Sequence, residues 1–99
     1  MKAKTMIGKY VVVRTYSAGV HIGVLASQEG KEVTLTDARR LWYWTGAFTL
    51  SAVSQDGVDG KDSKISVTVP EIALTEAIEI IPCSDAAEKQ LRGIKAHAA

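Results

Sequence analysis

The first half of the chain alternates apolar and polar side chains with the period of a pleated strand. Residues 9–16 (KYVVVRTY) are rich in β-branched and aromatic side chains and predict a strand. Ser17, Ala18 and Gly19 follow as a turn whose glycine accepts a positive φ. Residues 20–28 (VHIGVLASQ) predict the return strand of a hairpin. Val20, Ile22, Val24 and Ala26 share one face, and His21, Gly23, Leu25 and Ser27 the other. A glycine in mid-strand predicts a bulge or the close approach of another backbone. Glu29, Gly30 and Lys31 form a second tight turn, and 32–44 predict one bent strand or a strand kinked near Asp37. A helix over 37–44 with Asp37 as its N-cap is the alternative, but the aromatics Trp42, Tyr43 and Trp44 fit a pleated surface better.

The period changes after Trp44. Over 45–57, Phe48, Ala52 and Gln55 recur at helical spacing with Ala47, Leu50 and Val53 beside them, and Asp56-Gly57 is a plausible stop. A short inserted helix is expected, followed by a mobile loop over 58–63. Residues 64–69 (KISVTV) alternate again, placing Ile65, Val67 and Val69 inward, and Pro70 breaks that strand or marks an edge. Residues 71–81 (EIALTEAIEII) predict the longest later strand, with Ile72, Leu74, Ile78 and Ile80 on one face. A bulge or a helical turn near Glu76 would send that carboxylate outward. Pro82 ends the strand, and Ser84-Asp85 cap a helix over 86–94 with Ala87, Leu91 and Ile94 as its apolar stripe. The order β-β-β-α-β-β-α predicts a mainly β, α+β protein. The expected form is a small antiparallel β-barrel or sandwich with one short inserted helix and a C-terminal helix.

Composition narrows the function classes. Ninety-nine residues make one domain, 1–99, with 1–7 and 95–99 as flexible ends. An apolar content of 46% in so small a body favours self-association into a homo-oligomer. Net charge is +1, with twelve basic and eleven acidic residues spread along the chain, so neither a long nucleic acid nor a membrane surface is an expected partner. Cys83 is the one cysteine, which excludes an internal disulfide, and with two scattered histidines it makes no zinc site. No apolar run approaches the ~20 residues of a membrane span, and no leader pattern follows Lys2 and Lys4. The expectation is a soluble cytoplasmic protein.

Enzymatic chemistry finds little support. His21, His97, Asp37, Glu76 and Cys83 are the candidate acids, bases and nucleophile, and nothing resembles a phosphate loop, a paired-carboxylate site or a nucleophile elbow. Cys83 precedes a predicted helix N-terminus, where a thiolate is favoured, but a small buried hydrophobe is the simpler reading. No catalytic residue, metal or cofactor is assigned. Binding is better supported. Arg14, Arg39 and Arg40 stand on predicted strands beside Tyr16, Trp42, Tyr43 and Trp44, where a guanidinium can fork onto a phosphate while a ring stacks on a base. Alternation puts Arg40, Trp42 and Trp44 on one side and Arg39, Leu41 and Tyr43 on the other. Tyr16, Ser17, Gly19 and His21 complete the candidate ligand-binding set. The plainer readings are an ordinary hairpin turn and arginines that snorkel over aromatic surface to pair with Asp37 or Glu76.

Four blocks carry a resemblance: RTYSAGVH (14–21) with Gly23, GKEV (30–33), ARRLWYW (38–44) with Gly46-Ala47, and LTEAIEIIPC (74–83). Over roughly 7–92 the chain resembles a family of small proteins of tailed phages and prophages, which carries no assigned function. The resemblance implies a protein at work in the cytoplasm of an infected bacterium, and among such proteins are counter-defence factors. Two expectations follow. The first is a homo-oligomer that sequesters a small cyclic nucleotide signal without cleaving it. The second is an interaction module that inhibits a host defence protein such as a CRISPR nuclease, or serves phage assembly. A concave pocket with convergent arginines would favour the first, and a flat aromatic patch the second.

Overall fold

The computed structural model describes residues 6–17, 19–47 and 49–96. Ala18 of the first turn, Phe48 of the predicted helix, His97 and most of the expected lead-in (1–5) lie outside them. The elements run β1 (Tyr10–Thr15), β2 (Val20–Glu29), β3 (Glu32–Tyr43), α1 (Leu50–Asp56), β4 (Lys64–Ile65), β5 (Val69–Leu74), β6 (Ala77–Pro82) and α2 (Asp85–Arg92). Every strand pair is antiparallel, in the order β4-β3-β2-β1-β6, and β5 lies along the edge of β3 that β4 also uses. The fold is mainly β with two helices, as the periodicities predict.

Connectivity forces the sheet to curl. β5 and β6 are joined through Thr75 and Glu76 alone, yet they border opposite edges of the strand order. Two residues span that gap only if the edges are bent toward each other. The curl stops short of closure, leaving a folded-over sheet rather than a barrel. Its bend lies where Gly23 and Asp37 face each other. Asp37 adopts a φ of +50°, a left-handed conformation that aspartate tolerates better than most residues. A Cβ at Gly23 would come within 2.9 Å of the Thr36 carbonyl oxygen and 3.1 Å of Ala38 Cα. The β2–β3 register shifts between Ile22 and Val24 and again between Leu25 and Ser27. The expected kink in one strand and the close approach in the other are thus a single feature.

Curling gives the sheet two buried faces, so Val11, Val12 and Val13 are all fully buried in succession. Tyr10, Val12, Val20, Ile22, Leu41 and Ile65 pack against Val53 of α1 and against Leu91 and Ile94 at α2. Val11, Val13, Leu25, Val33, Leu35 and Leu74 fill the inside of the fold. Each such side chain contributes about 1.5–3 kcal/mol through burial. Ser84 caps α2 by accepting from Ala87 N at 3.0 Å and ties it to α1 by donating to the Gln55 carbonyl at 2.7 Å. The predicted stripe of Ala87, Leu91 and Ile94 is buried.

Four expectations are corrected. The inserted helix is shorter than 45–57: Thr49 caps it, Gly57 ends it, and Val53 and Ser54 face the core while Gln55 is exposed. The 58–63 loop is anchored rather than mobile. Gln90 exchanges hydrogen bonds of 3.0 and 2.6 Å with the Val58 backbone, and Ser63 Oγ accepts from Thr45 N. Of 64–69, only Ile65 points inward, because the chain leaves β4 after two residues to begin β5; Val67 and Val69 are exposed. The single strand over 71–81 is two strands on opposite sheet edges, so Ile78 is exposed instead of sharing a buried face with Leu74. Glu76 stands in the break between them, pointing outward as expected.

Candidate functional site

The strand registers gather most of the candidate residues at one end of the sheet. Val20 pairs with Leu41, so the β1–β2 turn lies beside the last residues of β3. Thr15 holds the turn shut, donating from both N and Oγ1 to the Gly19 carbonyl at 3.0 and 2.8 Å. Gly19 takes a φ of +84° there, which explains the glycine. Tyr16 N donates to the Glu76 carbonyl and Ser17 Oγ to the Glu76 carboxylate, linking this turn to the β5–β6 turn. The Tyr16 ring is left 79% exposed.

Across the same end, Trp42 and Tyr43 are 52% and 49% exposed. The β3–β4 pairing slips between Leu41 and Tyr43, which breaks strict alternation and turns both rings outward. Lys64 Nζ lies 5.4 Å from the Trp42 ring centre and 5.8 Å from that of Tyr43. A cation so placed holds exposed rings in position with about 0.5–1 kcal/mol. Trp44 departs from the predicted face. It packs partly buried against the helix-side core instead of flanking Arg40 and Trp42.

The arginines do not converge. Residues on one rung of an antiparallel ladder face the same side. Arg14, Val20 and Leu41 share a rung, and so do Val12, Ile22 and Arg39, both turned to the helices; Val13, His21 and Arg40 form the rung between, turned the other way. Arg39 is 5% exposed. Its guanidinium donates to the Ser66 carbonyl at 2.9 Å and to the Leu91 and Arg92 carbonyls at 3.0 and 3.5 Å, closing the C-terminus of α2. Burial lowers its pKa, against which Tyr10 acts weakly. That places Arg39 in the scaffold, a correction to its expected grip on a phosphate. Arg14 pairs with Glu79 at 3.2 Å on the surface. Arg92 pairs with Glu88 at 2.8 Å and Asp37 at 3.7 Å and lies over the Tyr10 ring. Among the described residues, the Arg40 guanidinium makes no ion pair or hydrogen bond.

Between the end of β5 pairing at Ala38 and the start of β4 pairing at Leu41, the edge of β3 is bridged by Ser66, which bonds the Arg40 backbone. A recess of about 220 Å³ lies there, lined by His21, Ala38, Arg39, Arg40, Ser66, Val67, Val69 and Ile72. His21 is buried, 1% exposed. A wider recess of about 630 Å³ beside α1 is lined, among the described residues, by Thr45, Gly46, Ala47 and Ala52, none of them charged. Cys83 is half-buried, and burial together with Glu88 pushes its thiol up to about 12. It is therefore a protonated, packed thiol at neutral pH, despite its place just before the α2 cap.

A family model matches residues 8–91, nearly the whole of the described sheet and α2. The chain belongs to the family "Domain of unknown function (DUF6948)". No curated protein and no solved structure matches it. This DUF6948 chain thus presents, at one sheet end, an aromatic rim and a small recess. Lys64, Ser66, Val67 and Val69 belong to this region, and sequence reasoning missed them. Their period-two alternation pointed to a core strand, and the adjacent Pro70 was the available sign that pairing would not continue.

Proposed function

We propose that this chain is a non-enzymatic interaction module that docks a partner protein through the rim formed by Trp42, Tyr43 and Tyr16. The observation that carries this reading is the outward exposure of two adjacent rings held by Lys64 at a sheet end. Solvent-exposed Trp and Tyr on rigid strands are the residue types that anchor protein interfaces. The neighbouring cations Arg40 and Lys64 suit a partner surface that carries carboxylates. In the setting that the phage resemblance implies, the partner is a host defence protein met in the bacterial cytoplasm. The same surface would equally serve assembly with another phage protein.

A second reading, sequestration of a cyclic nucleotide, draws on Arg40 beside the Trp42 and Tyr43 rings. It is weakened because Arg14 lies on the other face and the Arg39 guanidinium is bonded to carbonyls, and by size. The recess of about 220 Å³ is below the roughly 300–1,000 Å³ of usual small-molecule sites, so a whole nucleotide would have to lie between protomers of a homo-oligomer.

One experiment separates the readings. Tagged wild-type chain and Trp42→Ala are used to capture proteins from infected cells, while purified chain is heated with a panel of cyclic di- and trinucleotides. The docking reading expects one protein retained by wild type and weakened at least ~30-fold by Trp42→Ala, with the variant still folded. Equal capture by both chains overturns it. A melting-point rise of several degrees with one nucleotide moves the weight to sequestration.

A further inference from the structure

We infer that the recess beside Arg40 is a binding site for a small carboxylate joined to a short apolar chain, distinct from the aromatic rim. Arginine partnering is the first ground. Arg14, Arg39 and Arg92 each have a carboxylate or carbonyl partner, whereas Arg40 stands at the recess mouth with none among the described residues. The lining is the second. Among the described residues it contains Arg40, His21 and Ser66 and no acidic side chain, opposite a lip of Val67, Val69 and Ile72. An anion entering it meets the Arg40 guanidinium on one side and methyl groups on the other, while the Ser66 hydroxyl is held by its own bond to the Val67 carbonyl; a planar carboxylate matches the guanidinium fork. Size is the third. About 220 Å³ holds roughly seven atoms of water size, at about 30 Å³ each.

The site is preformed because its walls are fixed by other bonds. Ser66 N donates to the Arg40 carbonyl at 2.9 Å, Arg40 N donates to Ser66 Oγ at 2.8 Å, and Arg39 Nε holds the Ser66 carbonyl. The short bridge between β4 and β5 is thereby clamped to β3. It keeps the two valines at the lip, where they are exposed.

The test is an NMR titration of the isotope-labelled chain with butyrate, butyramide, inorganic phosphate and N-acetyl-glutamate amide. Butyrate is expected to give saturable amide shifts confined to 38–41 and 66–69, with butyramide and phosphate each at least tenfold weaker. Arg40→Gln is expected to weaken butyrate at least tenfold, and Trp42→Ala to leave it unchanged, so failure here is separable from failure of the docking reading. A blocked glutamate that binds more tightly than butyrate assigns the site to an acidic side chain of a partner; the reverse assigns it to a free metabolite. Butyramide or phosphate binding as well as butyrate overturns the proposal. So does the absence of saturable shifts in the folded wild-type chain, or shifts that Arg40→Gln leaves intact.

Discussion

Arg39 and Arg40 are neighbours in sequence and opposites in the structure. Arg39 faces the helices, is almost wholly buried, and donates to carbonyls at the end of α2 and in the β4–β5 bridge. Arg40 faces the open mouth of the curled sheet, where α1 and α2 cannot cover it. The same side chain is scaffold on one face and available surface on the next. The difference comes from the pleat, which sends consecutive residues to opposite sides, and from the helices, which shield one side only. A charged residue in a strand is therefore informative only once the covering of its face is known.

The sharpest way to break this contrast is Arg39→Ala. It leaves buried carbonyls without donors and opens space under α2, and should cost about 3–5 kcal/mol in urea unfolding. Arg39→Met restores volume but not the bonds, so a variant as stable as wild type would assign the role of Arg39 to packing alone. Gly23→Ala tests the bend that separates the two faces. Its methyl group would press on the backbone of Thr36 and Ala38, and a loss of about 1–3 kcal/mol is expected. An unchanged midpoint would mean that β3 yields at Asp37 without cost.

The helix-covered face also predicts a pH effect. Burial raises the Tyr10 hydroxyl to about 12. Below pH 10 both folded and unfolded chains hold the neutral phenol, and the contribution of Tyr10 is fully present. Between pH 10 and 12 the unfolded chain ionises first, so stability falls by about 1.4 kcal/mol per pH unit. Cys83, also raised to about 12 from an ordinary value near 9, adds a loss of the same sign that begins lower. Tyr10→Phe should reduce this slope without abolishing it. Because the Tyr10 hydroxyl is buried without a hydrogen-bond partner among the described residues, the variant should be neutral or up to about 1 kcal/mol more stable at pH 7. A slope identical to wild type would place the alkaline loss elsewhere. The smallest effect belongs to Arg40→Ala, expected within about 0.5 kcal/mol of wild type; a larger loss would make Arg40 scaffold after all.

Local pattern was enough for the hairpin, the caps and the α2 stripe. Each rests on contacts within a few residues: the Thr15–Gly19 turn, Ser84 over Ala87, and the i, i+4 spacing of Ala87 and Leu91. Gly23 and Asp37 were legible as an irregularity for the same reason. The candidate site was legible in part. Tyr16, Trp42, Tyr43 and Arg40 do gather at one sheet end, while Trp44 and Arg39 turn into the core and Arg14 lies on the other face. The alternation over 64–69 and 71–81 reads as two strands, each with one apolar face, because alternation reports which side a residue is on, not which strand lies beside it. Where β5 and β6 pair depends on the curl, and the curl depends on contacts between residues some forty positions apart, such as Leu35 with Ile72 and Leu74 with Val33. Short-range pattern alone determined that this chain makes strands, turns and a capped helix. Only the tertiary structure decided which arginine is buried and where a recess opens, because both depend on what covers each face.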